Sequence, residues 1–480
     1  MVDASSVSLG GETVKATAAK FAMAAVGFVG VVLFARILGP TAFGGFYLLL
    51  ALVKLADRVA VGWGIAIKKR FSEAGAPERE LLGAQALFTV AWIAIAGVAT
   101  VLGARWLVSY TGLAAAPVLF VVVLLSTTLY EPVDRVVQAR GLVGASMWVD
   151  TLRSILTFPL QLGLVLLGLG AAGMAYGLAG ATFLTVPVLW YYVRVVPTLP
   201  PRDTLSNLGE YARFSVPNAV LGQAYDRFDV LLLGYLLTPA AAGYYEVALK
   251  ITLPATFVSM AAASGLMARV SHRHSMDADV SEDVSNTVAF ASVIAIPLFL
   301  GALALRESLV VTLFGPEYAE AAALLVGLAL YKVVRTQSVP LLRVIDGIDR
   351  PEINTAAASG TLAINVVLGV VLTLSYGPIG VVVATVVAES IRYAVAAIVV
   401  KRHLPDVSLL PRTLLEQVAA AAVMFAVVVL AARVIAIEGW SHLLAIVTLG
   451  AAVYAGTLWA LSSKLRVTVG GVVRGTGLEF

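Results

Sequence analysis

The 480 residues contain no cysteine. Disulfides, thiolate metal sites, cysteine nucleophiles and iron–sulfur clusters are therefore excluded together. Charge is also scarce. Asp, Glu, Lys and Arg make up 13% of the chain and apolar residues 60%, with a mean hydropathy of +0.93, against about 25% charged and 45–50% apolar in a soluble domain. That balance excludes a water-soluble globular fold. The opening MVDASSVSLGGETVKATAAK is polar and acidic before its first lysine, so the basic and apolar parts of a secretory leader are missing and the first apolar segment is expected to stay in the mature chain. No P-loop occurs, which argues against ATP as the driving force. GLGAAG at 168–173 satisfies GxGxxG letter by letter, but no strand precedes it; Gly173 and Gly177 there read better as points of close helix approach. His272 and His274 flank an arginine with no further ligand in view, so no metal is expected.

What remains is long apolar runs. At roughly 20 residues per crossing of a ~30 Å hydrocarbon core, about fourteen spans are expected, near 15–36, 43–67, 82–108, 114–138, 146–168, 171–195, 212–237, 241–268, 285–305, 318–340, 353–375, 378–401, 412–434 and 442–463. The alternating pattern of a membrane barrel is missing, so the fold expected is an all-α integral membrane protein. Cations concentrate in alternate loops: Lys68, Lys69, Arg70, Arg140, Arg194, Arg202, Lys401 and Arg402 fall on one side, and only Arg36, Arg105, Arg306 and Arg433 on the other. This asymmetry predicts a cell-membrane protein with both termini cytoplasmic, and it explains the isoelectric point near 9.1 without nucleic acid.

The chain repeats itself. Pro40, Gly44, Arg70 and Ser72 recur as Pro239, Gly243, Arg269 and Ser271, and Pro132 and Arg135 as Pro340 and Arg343. Six spans answer six, an even number, so two parallel six-helix lobes related by a pseudo-twofold axis along the membrane normal are expected, with two extra C-terminal helices. The corresponding domains are an N-terminal lobe at 1–195, a linker at 196–211, a C-terminal lobe at 212–403, and the extra helices with a tail at 404–480. The linker, VVPTLPPRDTLSNLGEYARF with its flanks, reads as a proline-rich stretch followed by an amphipathic one along the membrane surface. No other loop is long enough for a soluble domain.

Ionisable side chains inside spans cost about 2.5–3.5 kcal/mol at a helix centre and usually face a cavity or a partner. Span two holds Lys54, Asp57 and Arg58, a net positive trio; span seven holds Asp226, Arg227 and Asp229, and span eight Glu246 and Lys250. One reading is a water-filled cavity in which Lys54, Arg58, Arg227 and Lys250 bind a phosphate or diphosphate while Asp226 and Asp229 couple transport to a cation or proton. The other is that the charges pair, Lys54 with Asp57 and Glu246 with Lys250, and only orient helices. Glu131, Asp134, Arg153, Lys332 and Glu389 are expected nearer the cytoplasmic ends, where long side chains snorkel. Pro217 and Pro254, flanking the charged part of the second half, are the candidate hinges.

FARILGPTAFGGFYLLLALVKL followed by KKRFSEAG, and YARFSVPN leading to DRFDVLLLGYLLTPAAAGYYEVALKI, resemble the Wzx-type polysaccharide-unit flippases of the multidrug/oligosaccharidyl-lipid/polysaccharide exporter superfamily. Asp229, Gly234, Gly243, Tyr245 and Lys250 fall on recurring positions of that family, and the resemblance extends over nearly the whole chain. It implies two lobes alternating between inward-open and outward-open states. It further implies a lipid-linked oligosaccharide as cargo, a phosphate or diphosphate on a polyprenyl or dolichyl carrier, moved without covalent change. Lys54 follows Gly45 by nine residues and Lys250 follows Gly243 by seven, so the two lysines are not repeat equivalents. No cofactor is expected beyond a sodium or proton gradient. The expected partners are the lipid-linked glycan, membrane lipids and glycan-assembly enzymes. Two alternatives carry different signatures: a drug/cation antiporter of the same superfamily needs an acidic, aromatic cavity, and a membrane-embedded glycan polymerase or ligase needs a large external loop.

Overall fold

The computed structural model describes residues 9–467 except 275, 277 and 278, without the side chains of 9–26, 264, 268, 274 and 351. The described residues form helices and no strand. They run as α1 (Leu9–Phe71), α2 (Glu78–Leu102), α3 (Ala104–Thr111), α4 (Ala116–Ala139), α5 (Val143–Leu164), α6 (Gly170–Val193), α7 (Arg202–Leu236) and α8 (Pro239–Thr252). The rest are α9 (Phe257–His274), α10 (Ser281–Ala291), α11 (Ala295–Phe314), α12 (Ala321–Gly347), α13 (Pro351–Tyr376), α14 (Pro378–His403), α15 (Arg412–Val434) and α16 (Trp440–Leu461). The chain divides into two compact units, residues 34–246 and residues 247–480 with 1–33.

All fourteen expected spans find helices. Eleven helical stretches are long and apolar enough to cross a membrane, and two of these, Gly27–Phe71 and Val143–Val193, are 45 and 51 residues long. At 1.5 Å per residue each would be about twice the thickness of a bilayer core. Both are interrupted where two spans were expected to meet. In α1 the break is Gly39, at φ 70 and ψ 170, just before Pro40. Only glycine takes that backbone readily, and the proline that follows disfavours helix at the preceding residue. Between α5 and α6 it is a π-helical turn, Val165–Leu169, with Gly168 at φ 89 and Gly170 at φ 54. The remaining expected span falls on α7, whose apolar half carries Asp226, Arg227 and Asp229.

Three expected spans are broken: 82–108 at Gly103, between α2 and α3, and two in the second unit. A 3₁₀ turn, Leu253–Thr256, separates α8 from α9, and residues 292–294 separate α10 from α11. Proline accounts for both, since it offers no N–H to the preceding turn. In a bilayer the freed carbonyls need other donors, and the second unit supplies them from side chains. Pro297 leaves the Val293 carbonyl to the Tyr454 hydroxyl (2.8 Å), and Pro340, inside α12, leaves that of Thr336 to Ser259 Oγ (3.0 Å). Gln417 Nε2 and Gln337 Nε2 donate to the Ala289 and Val288 carbonyls at the same break (2.6 and 3.3 Å). Just before α10, the Ser281 amide donates to Asp279 Oδ1 (2.9 Å), which holds that carboxyl below the usual range.

The repeat is visible in backbone detail. The α4–α5 turn closes with the Gly141 amide on Gln138 O and the Leu142 amide on Val137 O. The α12–α13 turn closes with the Asp349 amide on Asp346 O and that of Arg350 on Ile345 O. Both are Schellman turns, with Gly141 at φ 78 and Asp349 at φ 61. Gly170 and Gly377 have nearly the same dihedrals (54, −135 and 65, −148). Three residues on, Gly173 lies against the Leu164 and Val165 backbone, and Gly380 against that of Leu372 and Thr373.

The expected surface linker is shorter than its sequence suggests. Its amphipathic part is the first three turns of α7, where Leu208 and Ala212 pack on Ala66, Ile67 and Phe71. The residues before it and its own first turn are strapped to α2: the Thr198 amide donates to Arg79 O (3.0 Å) and Thr204 Oγ1 to Glu80 Oε2 (2.7 Å).

Candidate functional site: charged centres in mid-membrane helices

The second half of α1 carries Lys54, Asp57 and Arg58, and α7 runs antiparallel beside it. Arg70 Nη2 donates to Asn207 O (3.3 Å), Ser215 Oγ donates to Gly62 O (2.7 Å), and Gly234 lies against Leu48. Interpolation between these contacts stands Lys54 level with Asp226. Past the end of α7, the start of α8 packs reciprocally on the start of the second half of α1. Gly44 sits against the Pro239 carbonyl and Gly243 against the Pro40 carbonyl, with no room for a Cβ at either.

Asp57 is 4% exposed, and Lys54 and Arg58 are half-buried. Besides its own two cations, Asp57 faces Thr127 and Glu131 of α4. Asp57 Oδ1 and Arg58 Nε are buried with no hydrogen-bond partner among the described residues. Each such atom costs about 1–3 kcal/mol.

The charges of α7 and α8 have separate environments. Arg227 Nη1 lies 3.2 Å from Glu246 Oε1, and Glu246 is fully buried. A pair nineteen residues apart on two helices has no sequence signature, whereas the i, i+4 spacing had suggested Glu246 with Lys250. Asp229 is buried and accepts a hydrogen bond from the Tyr245 hydroxyl (2.7 Å), while Asp226 is exposed. Their shared helical face thus holds one engaged acid and one accessible acid. Lys250, half-buried, ends α8 just before the 3₁₀ turn that contains Pro254. Pro254 therefore sits at a break in the helix, whereas Pro217 lies within an unbroken α7. The side chain of His274 lies outside the described residues.

At the C-terminal end of α4, Asp134 accepts hydrogen bonds from Ser146 Oγ (2.5 Å) and Gln138 Nε2 (2.8 Å), and Lys68 Nζ donates to Gln138 Oε1 (2.9 Å). Lys332, Glu389 and Arg153, which stands at the middle of α5 beside Asp150 (2.6 Å), differ from expectation. Because α12 continues to Gly347, Lys332 lies near its middle, and Glu389 lies near the middle of α14. Glu389 is 1% exposed and meets two arginines, Arg335 at 3.3 Å and Arg392 at 3.9 Å. Reading one helix at a time misses this centre, because its main partner comes from α12. Its only local sign is Arg392, three residues from Glu389. The same unit holds an apolar cavity of about 430 Å³ between α11, α15 and α16. Its one polar group, the Tyr454 hydroxyl, is already bound to Val293 O.

Relatives and solved structures share this architecture. A probable low-salt glycan biosynthesis flippase of Haloferax volcanii, Agl15, is 27% identical over 370 residues, covering 76% of this chain and 77% of its own. A probable flippase of the same organism, AglR, is 25% identical over 446 residues, covering 90% and 91%. The lipid II flippase MurJ in an inward closed conformation shares the fold, with a TM-score of 0.76 at 14% identity over 92% of this chain and 96% of that one. So does an inward-facing multidrug resistance MATE family transporter of the MOP superfamily, at 0.64 and 14% over 78% and 93%. Residues 33–323, more than half of the chain, match the polysaccharide biosynthesis protein family, and this multi-pass membrane protein belongs to it.

Proposed function

We propose that the protein is a flippase that carries a lipid-linked oligosaccharide from the inner to the outer leaflet of the cell membrane by alternating access, with no covalent step. The observation that carries this reading is the net positive trio in the second half of α1, whose buried Asp57 Oδ1 and Arg58 Nε make no hydrogen bond among the described residues. Buried polar atoms left in that condition fit a site that a ligand completes, and the surplus of positive charge selects an oxyanion. A cavity for cationic drugs needs the opposite sign, which favours a glycan-lipid phosphate over the antiporter alternative. The apolar cavity between α11, α15 and α16 suits an isoprenoid or acyl chain.

In this reading Lys54 and Arg58 bind the lipid phosphate or diphosphate, Lys250 adds to the same field, and Arg227 acts through its pair with Glu246. The exposed Asp226 exchanges the coupling proton or sodium ion, and Asp229 is held by Tyr245 in a supporting role. Pro254, at the 3₁₀ turn, is the main hinge and Pro217 the lesser one. The two six-helix lobes move against each other, both termini lie in the cytoplasm, and glycan-assembly enzymes meet the protein at that face.

Lys54→Ala combined with Arg58→Ala is expected to abolish glycan export in a complementation assay at normal expression; undiminished export would rule out the basic site. Asp226→Asn is expected to remove gradient dependence in proteoliposomes. An unchanged ion dependence would assign coupling elsewhere.

A further inference from the structure

Asp57 is buried, at 4% exposed, and its Oδ1 has no hydrogen-bond partner among the described residues. The packing of α1 on α4 decides what it faces. Lys68 Nζ donates to Gln138 Oε1, seventy positions further along the chain, and Gly64 sits against Pro132 and Arg135. The two helices therefore run parallel here. The same offset, two turns before Gly64, stands Asp57 level with Thr127, with Glu131 one turn beyond. The Thr127 hydroxyl already donates to the Val123 and Leu124 carbonyls (3.2 and 3.1 Å).

Lys54 and Arg58 stand three residues before Asp57 and one after it, yet neither forms an ion pair with it among the described residues. A buried carboxylate is costly unless a cation pairs with it, and here the side chain turns to a second acid instead. Glu131 is differently placed: Arg135 lies 4.0 Å away on its own helix, and Arg153 of α5 acts on it too. From α7 the acid nearest in height is Asp226, level with Lys54. Of two facing acids, the one without a paired cation is the one that keeps a proton.

We propose that Asp57 is a neutral acid whose O–H serves the phosphate site as a hydrogen-bond donor beside Lys54 and Arg58. This rests on the flippase reading and deepens it by a third binding residue. A carboxylate at Asp57 would weaken the field of the two cations and repel the bound anion. A carboxylic acid leaves that field whole and adds a hydrogen bond to a charged acceptor, about twice as strong as one between neutral groups. The orphaned Oδ1 then has its partner in the cargo.

The test uses the purified full chain in detergent and geranylgeranyl phosphoglucose, a phosphodiester whose single negative charge does not titrate near neutral pH. Affinity is measured by titration calorimetry at low salt, with folding followed by thermal melting and size exclusion. D57N keeps a neutral donor and is expected to bind within about twofold of the parent. D57A loses the donor and is expected to bind about tenfold more weakly or worse. An ionised Asp57 predicts the opposite sign: both variants lose a repulsive charge and bind more tightly. That result overturns the proposal.

Infrared difference spectra of the parent, taken with and without the probe, should show a shift of a protonated carboxyl stretch that D57N removes. A spectrum without that shift, or one that D57N leaves unchanged, overturns the proposal. Should D57A fail to fold, the spectra decide, with D57T as the control if D57N fails as well. A parent chain that does not bind the probe, or binding that K54Q with R58Q leaves unchanged, overturns the flippase reading too. Binding that needs Lys54 and Arg58 but tightens in D57N removes the neutral acid alone.

Discussion

The two units each place charge in the middle of a helix around a buried acid, but they assemble it differently. In residues 34–246, Asp57 has both cations on its own helix, one three residues before it and one immediately after. In residues 247–480, Glu389 draws Arg335 from α12 and Arg392 from α14. The difference extends to the backbone. The second unit breaks two of its spans; Tyr454, Gln337 and Gln417 donate to carbonyls at the α10–α11 break, and Ser259 to the carbonyl that Pro340 frees inside α12. A centre built on one helix moves with it as a body, whereas one built across helices depends on their packing. The first is suited to following a moving cargo and the second to holding one.

The largest expected effect tests whether the repeat is equal in both units. Gly173→Val and Gly380→Val each push a side chain into the backbone of the neighbouring helix, Leu164 for the first (2.8 Å) and Leu372 for the second. Overpacking of this kind costs about 1–3 kcal/mol or more. Both variants should lose most of their folded yield and melt well below the parent, and a tolerated change in one unit alone would show that its hairpin can yield.

Next comes the repair of the broken spans. Tyr454→Phe removes the donor to the Val293 carbonyl and should cost about 1–3 kcal/mol, read as a lower melting temperature. An unchanged melt would mean that another donor reaches Val293.

Asp229→Asn weakens a charge-assisted bond from Tyr245 and should cost about 1–2 kcal/mol, whereas Asp57→Asn, whose Oδ1 makes no hydrogen bond among the described residues, should cost less. Equal losses in thermal melts would erase the distinction between a supporting acid and a ligand-facing one. The smallest effect belongs to the paired turns. Asp349→Gly relieves a left-handed aspartate and adds freedom to the unfolded chain, so stability should change by under ~1 kcal/mol. Gly141→Asp, its counterpart, should lose a similar small amount.

Much of the fold was legible because a bilayer imposes length and apolarity on every span, and because glycine and proline mark turns. Gly39–Pro40 and Gly168–Gly170 separate spans where the hydropathy pattern had separated them. The breaks inside spans eight and nine were less legible. Pro254 and Pro297 signal a disturbed helix, but whether it kinks or breaks depends on donors from distant helices, such as Tyr454. The site divides in the same way. Lys54, Asp57 and Arg58 could be read from one helix. Arg227 with Glu246, Asp229 with Tyr245 and Glu389 with Arg335 are tertiary pairs, invisible to helical spacing.

The reciprocal contact between α1, just after its break at Gly39, and the start of α8 carries a historical consequence. Gly44 meets the Pro239 carbonyl and Gly243 meets the Pro40 carbonyl, so each residue touches its partner's counterpart, as in an isologous dimer interface. Such a contact is self-consistent if an ancestral half-length chain first met a second copy of itself and a later gene fusion joined the two. On that history the two glycines are free to diverge by descent but not by geometry, because a side chain gained at either position has nowhere to go.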